Sequence, residues 1–168
     1  RAAAGRCRSG GGHAEVDAAA DRPGEGDRRG CGLDGAGRDR DADPRDGSVW
    51  AGSFGGGLVH INANGQPKIY KQASPILPAL GDPSSYRVAG LAFDTDANLW
   101  ISNFGADRQL HVLKPDGSWQ SFSSPFTLRE NAVAQIVVDD AGLKWIQSPL
   151  GNGLLLFDHG RFEAPGAD

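Results

Sequence analysis

The chain has 168 residues, 25 of them glycine and none methionine, with a formal net charge of -4. That length fits one ordinary domain, and the mild acidic balance leaves no basic face for nucleic acid. No apolar run reaches the length of a membrane span or forms a signal-peptide core, and a start at Arg1 without methionine predicts a fragment of a longer product.

Residues 1–42 are dominated by Arg, Gly, Ala and Asp, with no aromatic side chain and only Val16 and Leu33 as larger aliphatics. Burial there cannot offset the entropy of ordering the chain. The composition predicts a low-complexity, disordered segment of the kind that GC-rich DNA yields when translated out of frame. Both cysteines, Cys7 and Cys31, fall in it with one nearby histidine, His13. Two thiols do not make a structural zinc site, so they are given no role.

Residues 43–168 read differently. Trp50, Trp100 and Trp145 lie 50 and then 45 residues apart, each inside the same order of parts. An alternating apolar run comes first ("VAGLAFD" at 88–94, "VAQIVVD" at 133–139), followed by an acidic turn and a Trp strand ("LWISN", "LKWIQS"). A Gly-containing loop, a third apolar strand, a turn with glycine and a short last strand complete the unit. Four short strands joined by Asp, Asn and Gly turns describe a four-stranded antiparallel sheet. Such sheets repeated every 45 to 50 residues are the blades of a β-propeller. A sandwich also has strands at this spacing but gives no reason for the recurring Trp. The expectation is therefore an all-β partial propeller of about three blades. The first is expected to be incomplete, because its opening strand falls on "AGRDRDADPRD" at 36–46, which has no apolar alternation.

Repetition separates architecture from function. A Trp at one position of every unit has one repeated environment, the gap between blades, so Trp50, Trp100 and Trp145 are read as blade markers. Trp119 follows the outer turn "PDG" and should be a partly exposed packing residue on an edge strand. Phe54 and Phe104 each lie four residues after their Trp, in the loop between second and third strands. In a propeller these loops share one face with the connections between blades, and binding residues concentrate on loops held by a rigid scaffold. The candidate ligand or partner face therefore comprises Phe54, Asn103, Phe104, Asp107, Arg108 and Asn152, with Tyr86, Arg87, Arg129, Glu130 and Asn131 from the connections.

No metal, cofactor or catalytic group is expected. "DTDAN" at 94–98 starts like a calcium loop, but Leu99 and Gly105 stand where the sixth-position glycine and the bidentate Glu belong; a hairpin turn explains it. His60 and His111 are one position out of register, so they point to opposite faces of their sheets. Neither "GGGLV" nor "GNGLLL" leads into a phosphate-binding helix, Gly-x-Ser-x-Gly is absent, and the adjacent Asp139 and Asp140 point apart in a strand.

The pattern Asp-x-x-Gly/Asn-x-x-Trp-x-x-x-x-Gly-x-Gly-Leu, carried by "DGSVWAGSFGGGL", "DANLWISNFGADRQL" and "DAGLKWIQSPLGNGLLLFD", resembles the two-component regulator propeller repeat. That resemblance covers residues 43 to about 164. The usual Trp-Ile-Gly-Thr ending is kept only as "WAGS", "WISN" and "WIQS". "LHVLKPDGSWQSF" and "LKWIQSPLGNGLLLFD" look closer to the propeller proteins of the bacterial type IX secretion pathway. The resemblance implies a non-catalytic binding or scaffold module in the periplasm or at the cell surface. Its partner would be a glycan, lipopolysaccharide or a cell-envelope protein. The alternative it implies is the ligand-sensing domain of a hybrid two-component histidine kinase, and a propeller lyase or hydrolase is the outside reading.

Overall fold

In the computed structural model, residues 33–34, 38–71, 74–151 and 153–163 are described, and Cys7, Cys31, His13 and Asn152 lie outside them. Thirteen strands run along the described chain: β1 (Leu33–Asp34), β2 (Arg38–Ala42), β3 (Val49–Gly55), β4 (Gly57–Ile61), β5 (Pro67–Tyr70), β6 (Tyr86–Phe93), β7 (Leu99–Asn103), β8 (Leu110–Leu113), β9 (Trp119–Phe122), β10 (Ile136–Val138), β11 (Lys144–Ser148), β12 (Gly153–Asp158) and β13 (Arg161–Glu163). Twelve of them form three antiparallel blades, β2–β5, β6–β9 and β10–β13, and the two-residue β1 pairs with β2. This is a partial β-propeller.

Blade 1 differs from the expectation at its start. Strand β2 occupies the stretch without apolar alternation and pairs with β3 (Asp41 opposite Trp50, Ala42 opposite Val49). Pairing therefore extends into residues assigned to the low-complexity segment and completes the blade. Backbone hydrogen bonds require no apolar side chains, and the neighbouring strand supplies the template. Blades 1 and 2 are also tied directly, because the end of β3 pairs with β6 (Phe54 opposite Arg87, Gly55 opposite Tyr86).

Register assigns each side chain to one of two blade faces. Directly paired residues point the same way, and the side alternates along each strand. Trp50, Leu58 and Tyr70 of blade 1 meet Leu91, Leu99, Ile101 and, at the edge, Trp119 of blade 2. In turn Trp100, Leu110 and Val112 of blade 2 meet Ile136, Ile146, Leu155, Phe157 and Phe162 of blade 3. Trp100 lies 5.4 Å from Phe157 between ring centroids, and Phe157 is 5.0 Å from Phe162. Gly90 permits the close approach of blade 3: a Cβ there would stand 2.7 Å from the Ala134 carbonyl oxygen and 2.8 Å from the Ile136 nitrogen.

The acidic turn and the Trp strand are coupled. The Trp100 indole N–H donates to Asp94 Oδ2 at 2.8 Å, and the Trp145 indole donates to Asp139 Oδ2 at 2.8 Å, in both cases across six residues. Asp94 Oδ1 also accepts from the backbone N–H groups of Asp96 and Asn98, so the carboxylate shapes the hairpin while holding the ring. Burial alone would raise the Asp94 pKa, but the hydrogen bonds from Trp100, Asn98 and Asp96 prevail and hold it below its usual value.

In blade 1 the turn is one residue longer. Asp43 N–H reaches the Ser48 carbonyl, where Asp94 N–H reaches Asn98. The extra residue turns the Asp43 carboxylate onto Arg45, at 2.9 Å from Nε. The Trp50 indole N–H is left buried without an acceptor, and its ring stacks on His60 at 4.1 Å instead. Orphaning a buried donor costs about 1–3 kcal/mol. Replacing Trp50 by Phe removes an unpaired donor, whereas Trp100→Phe removes a paired one and leaves Asp94 Oδ2 with the Asn98 amide alone. Trp100→Phe is thus expected to be more destabilising than Trp50→Phe by about 1–3 kcal/mol, measured as the difference between urea unfolding free energies.

Candidate functional site

One end of the blades gathers the β7–β8 loop, the end of β3 and the connections between blades. Their side chains line an open pocket of about 440 Å³ formed by Leu80, Arg87, Phe104, Gly105, Leu128, Glu130 and Asn131. Backbone bonds lock its walls together. Phe104 N–H donates to the Arg87 carbonyl at 2.8 Å, Gly105 N–H to Asn131 at 2.9 Å, and Leu80 N–H to Gly105 at 2.7 Å. Both connections and the β7–β8 loop are therefore one framework.

An aromatic and cationic cluster forms one wall. Phe54 and Phe104 meet edge to face at 5.1 Å, and the Arg87 guanidinium carbon lies 5.5 Å from one ring centroid and 5.9 Å from the other. Arg87 Nε donates to Ser85 Oγ at 3.0 Å, and the guanidinium also meets Asp82 at 3.5 Å. A guanidinium held against two ring faces is orientated before any ligand arrives. Phe54 is 56% exposed, the aromatic group most open to solvent here. It belongs to the last residues of β3 rather than to the loop, because β3 runs on to pair with β6.

The opposite wall carries backbone strain. Glu130 and Asn131 are consecutive non-glycine residues in the left-handed region, at φ 56° and 48°. Glu130 has no side-chain reason to adopt that conformation, which costs about 1–2 kcal/mol for an L-residue. The framework bonds at Asn131 and Ala132 hold it there, and strain retained in this way concentrates at functional sites.

Of the face read from sequence, Arg87 and Phe104 line the pocket, with Phe54 packed on both and Glu130 and Asn131 opposite. Asp107, Arg108 and Arg129 are exposed but lie outside its lining. Tyr86 and Asn103 point into the core, at 6% and 0% exposure. Asn103 organises the floor instead. Its Oδ1 accepts from Leu77 N–H at 2.8 Å, and its Nδ2 donates to the Arg87 carbonyl at 3.3 Å. Leu80, Gly105 and Leu128 were not legible as site residues, because isolated apolar and glycine positions in loops carry no pattern.

His111 buttresses Asn103 from below. Its Nε2 donates to Asn103 Oδ1 at 3.3 Å, and its Nδ1 accepts from Ser121 Oγ at 2.8 Å, the arrangement of a neutral ring. Burial lowers its pKa from 6.5 to about 4. His60 faces Trp50 and His111 faces the opposite side of its own blade. Among the described residues there is no group of three or more His, Cys, Asp or Glu placed to hold a metal ion, and no helix long and apolar enough to cross a membrane.

No family model and no curated protein matches the chain. Solved structures do. The chain is similar to PorZ, an essential bacterial surface component of the type-IX secretion system of Porphyromonas gingivalis, at 25% identity and a TM-score of 0.59. The match covers 72% of this chain and 17% of PorZ. It is also similar to the extracellular domain of the hybrid two-component system BT3049 from B. thetaiotaomicron, at 20% identity and a TM-score of 0.52, over 74% of this chain and 16% of that one. Virginiamycin B lyase from Staphylococcus aureus matches at 18% identity and a TM-score of 0.59, over 76% of this chain and 40% of the lyase. The last two likenesses show the propeller fold. These neighbours include both kinds of protein whose repeats the sequence resembles, and the chain spans under half the length of each.

The buried histidine makes stability pH-dependent in a defined direction. With its folded pKa below its unfolded value, the unfolded chain takes up the proton first, so His111 leaves stability intact above pH 6.5 and erodes it as pH falls toward about 4. The loss should reach up to about 3 kcal/mol. His111→Gln should flatten the profile between those two pH values, as read from urea unfolding at stepped pH.

Proposed function

We propose that the chain is a non-catalytic binding or scaffold module of a bacterial cell-envelope protein, acting in the periplasm or at the cell surface. Its binding surface is the Arg87–Phe104–Glu130 pocket. One observation carries the reading: a strained, hydrogen-bonded loop framework holds an aromatic ring, a guanidinium, a carboxylate and an amide around one open cavity, with a second ring, Phe54, packed against the first and the guanidinium. Aromatic faces cover the apolar face of a sugar ring, and charged and amide groups bind its hydroxyl and acidic substituents. The ligand class proposed is a glycan, including the sugar portion of lipopolysaccharide. The likeness to a surface component of type IX secretion supports the secretion-associated version. The BT3049 domain supports the second version, a sensor domain whose bound ligand biases a signalling partner.

The test is calorimetric titration with purified lipopolysaccharide core oligosaccharide and with cell-wall glycan fragments. Binding should be saturable and weakened at least about tenfold, roughly 1.4 kcal/mol, by Phe104→Ala. No heat with either probe at millimolar concentration would defeat the glycan reading. Glu130→Gly should separate the two roles of that residue. Relief of the left-handed strain raises unfolding stability by about 1 kcal/mol, while loss of the carboxylate and of the fixed loop weakens binding.

A further inference from the structure

The loop-face pocket holds one positive and one negative group that do not answer each other. Arg87 lines one wall and Glu130 the opposite one, around a cavity of about 440 Å³. Among the described residues the two form no ion pair with one another. Every lining residue falls within 80–131, with blade 1 before the cavity and blade 3 after it.

Each charge is held in place. The Arg87 guanidinium rests against the Phe54 and Phe104 rings, at 5.5 and 5.9 Å from their centroids, and its Nε donates to Ser85 Oγ at 3.0 Å. Asp82 reaches Nη2 alone, at 3.5 Å, and among the described residues Nη1 has no acceptor. Glu130 sits on a left-handed turn at φ 56°, followed by Asn131 at 48°. The Gly105 N–H, donating to the Asn131 carbonyl at 2.9 Å, ties that turn to the Phe104 loop. The exposed Glu130 carboxylate has no hydrogen-bond or ion-pair partner among the described residues. Gly or Asn would adopt that conformation at lower cost, so the position keeps its carboxylate against its backbone preference.

Unpaired charges of opposite sign across one cavity complement a ligand that carries both signs itself. A ligand of either sign alone meets one attraction and one repulsion. Between the charges, Phe104 and Leu80 present apolar surface and Asn131 an amide, a lining that suits a pyranose ring. We infer that the pocket selects a zwitterionic amino sugar, with Arg87 taking its acid group and Glu130 its protonated amine. This rests on the glycan reading of the site and adds the charge pattern of the ligand.

Four monosaccharides test it by removing one charge at a time. Muramic acid carries an amine and a carboxylate, N-acetylmuramic acid only the carboxylate, glucosamine only the amine, and N-acetylglucosamine neither. Ligand-observed NMR titration of the full chain is run at about pH 6, where an α-amino group is protonated and carboxylates are ionised. Muramic acid should bind at least about threefold tighter than either singly charged sugar, the scale of one exposed ion pair. Glu130→Gln should erase its advantage over N-acetylmuramic acid and keep that over glucosamine. Arg87→Gln should do the reverse, and near-ultraviolet circular dichroism should stay that of the wild type in both. If Arg87→Gln disturbs the fold, the wild-type cycle and Glu130→Gln decide alone. Equal affinity for the four sugars would overturn the inference and leave the glycan reading standing. Silence with all four would overturn it whatever longer glycans do. Alanylalanine carries both charges without a sugar ring and should not compete; displacement of muramic acid by it at equal concentration would sink the amino-sugar assignment in favour of a peptide.

Discussion

Everything in this molecule depends on a tryptophan ring set into the gap between two twisted sheets and held by the carboxylate of the preceding turn. Twisted sheets diverge, and only a large flat side chain fills the wedge at native density. The ring brings an N–H into the dry gap with it, and that donor needs an acceptor. Asp94 and Asp139 meet the need from turns they also shape, so one residue closes the hairpin, orients the ring and fixes the strand register. Blade 1 shows what the coupling is worth by lacking it. One added residue turns Asp43 to Arg45 and leaves the Trp50 indole unsatisfied against His60.

The same geometry builds the loop face. Because blades share a spacing, the β7–β8 loop comes within backbone hydrogen-bonding distance of both inter-blade connections. Asn103 and His111 then work as supports rather than as contacts. They tie the pocket floor to the core of blade 2, and they leave Phe54, Phe104 and Arg87 as the presenting groups. A strained connection at Glu130 and Asn131 survives because two backbone bonds close the turn on itself and a third, from Gly105, ties it to the β7–β8 loop.

Much of this was legible in the residues. The recurring Trp, the acidic turn before it and the period-2 strands led to propeller blades, because each is a local pattern with one stable repeated environment. The opposite faces of His60 and His111 followed from counting along strands. Strand β2 was not legible, because a sequence of Arg, Asp and Ala carries no apolar alternation and is ordered by the strand beside it. The burial of Asn103 and Tyr86 was not legible either. Polar residues at strand ends look like loop residues until the connection at Leu77 folds over them.

The sequence by itself determined the blade: its strands, its turns, the tryptophan that marks it and the end on which its loops gather. Those features are set by side-chain alternation and turn chemistry within 40 to 50 residues of chain. Tertiary structure alone decided which loop residues share a pocket, which support it from beneath, and that Trp145 is half-buried where Trp50 and Trp100 are buried. The reason is physical. Burial and pocket geometry are properties of two segments meeting, and whether a second segment is present cannot be read from the first.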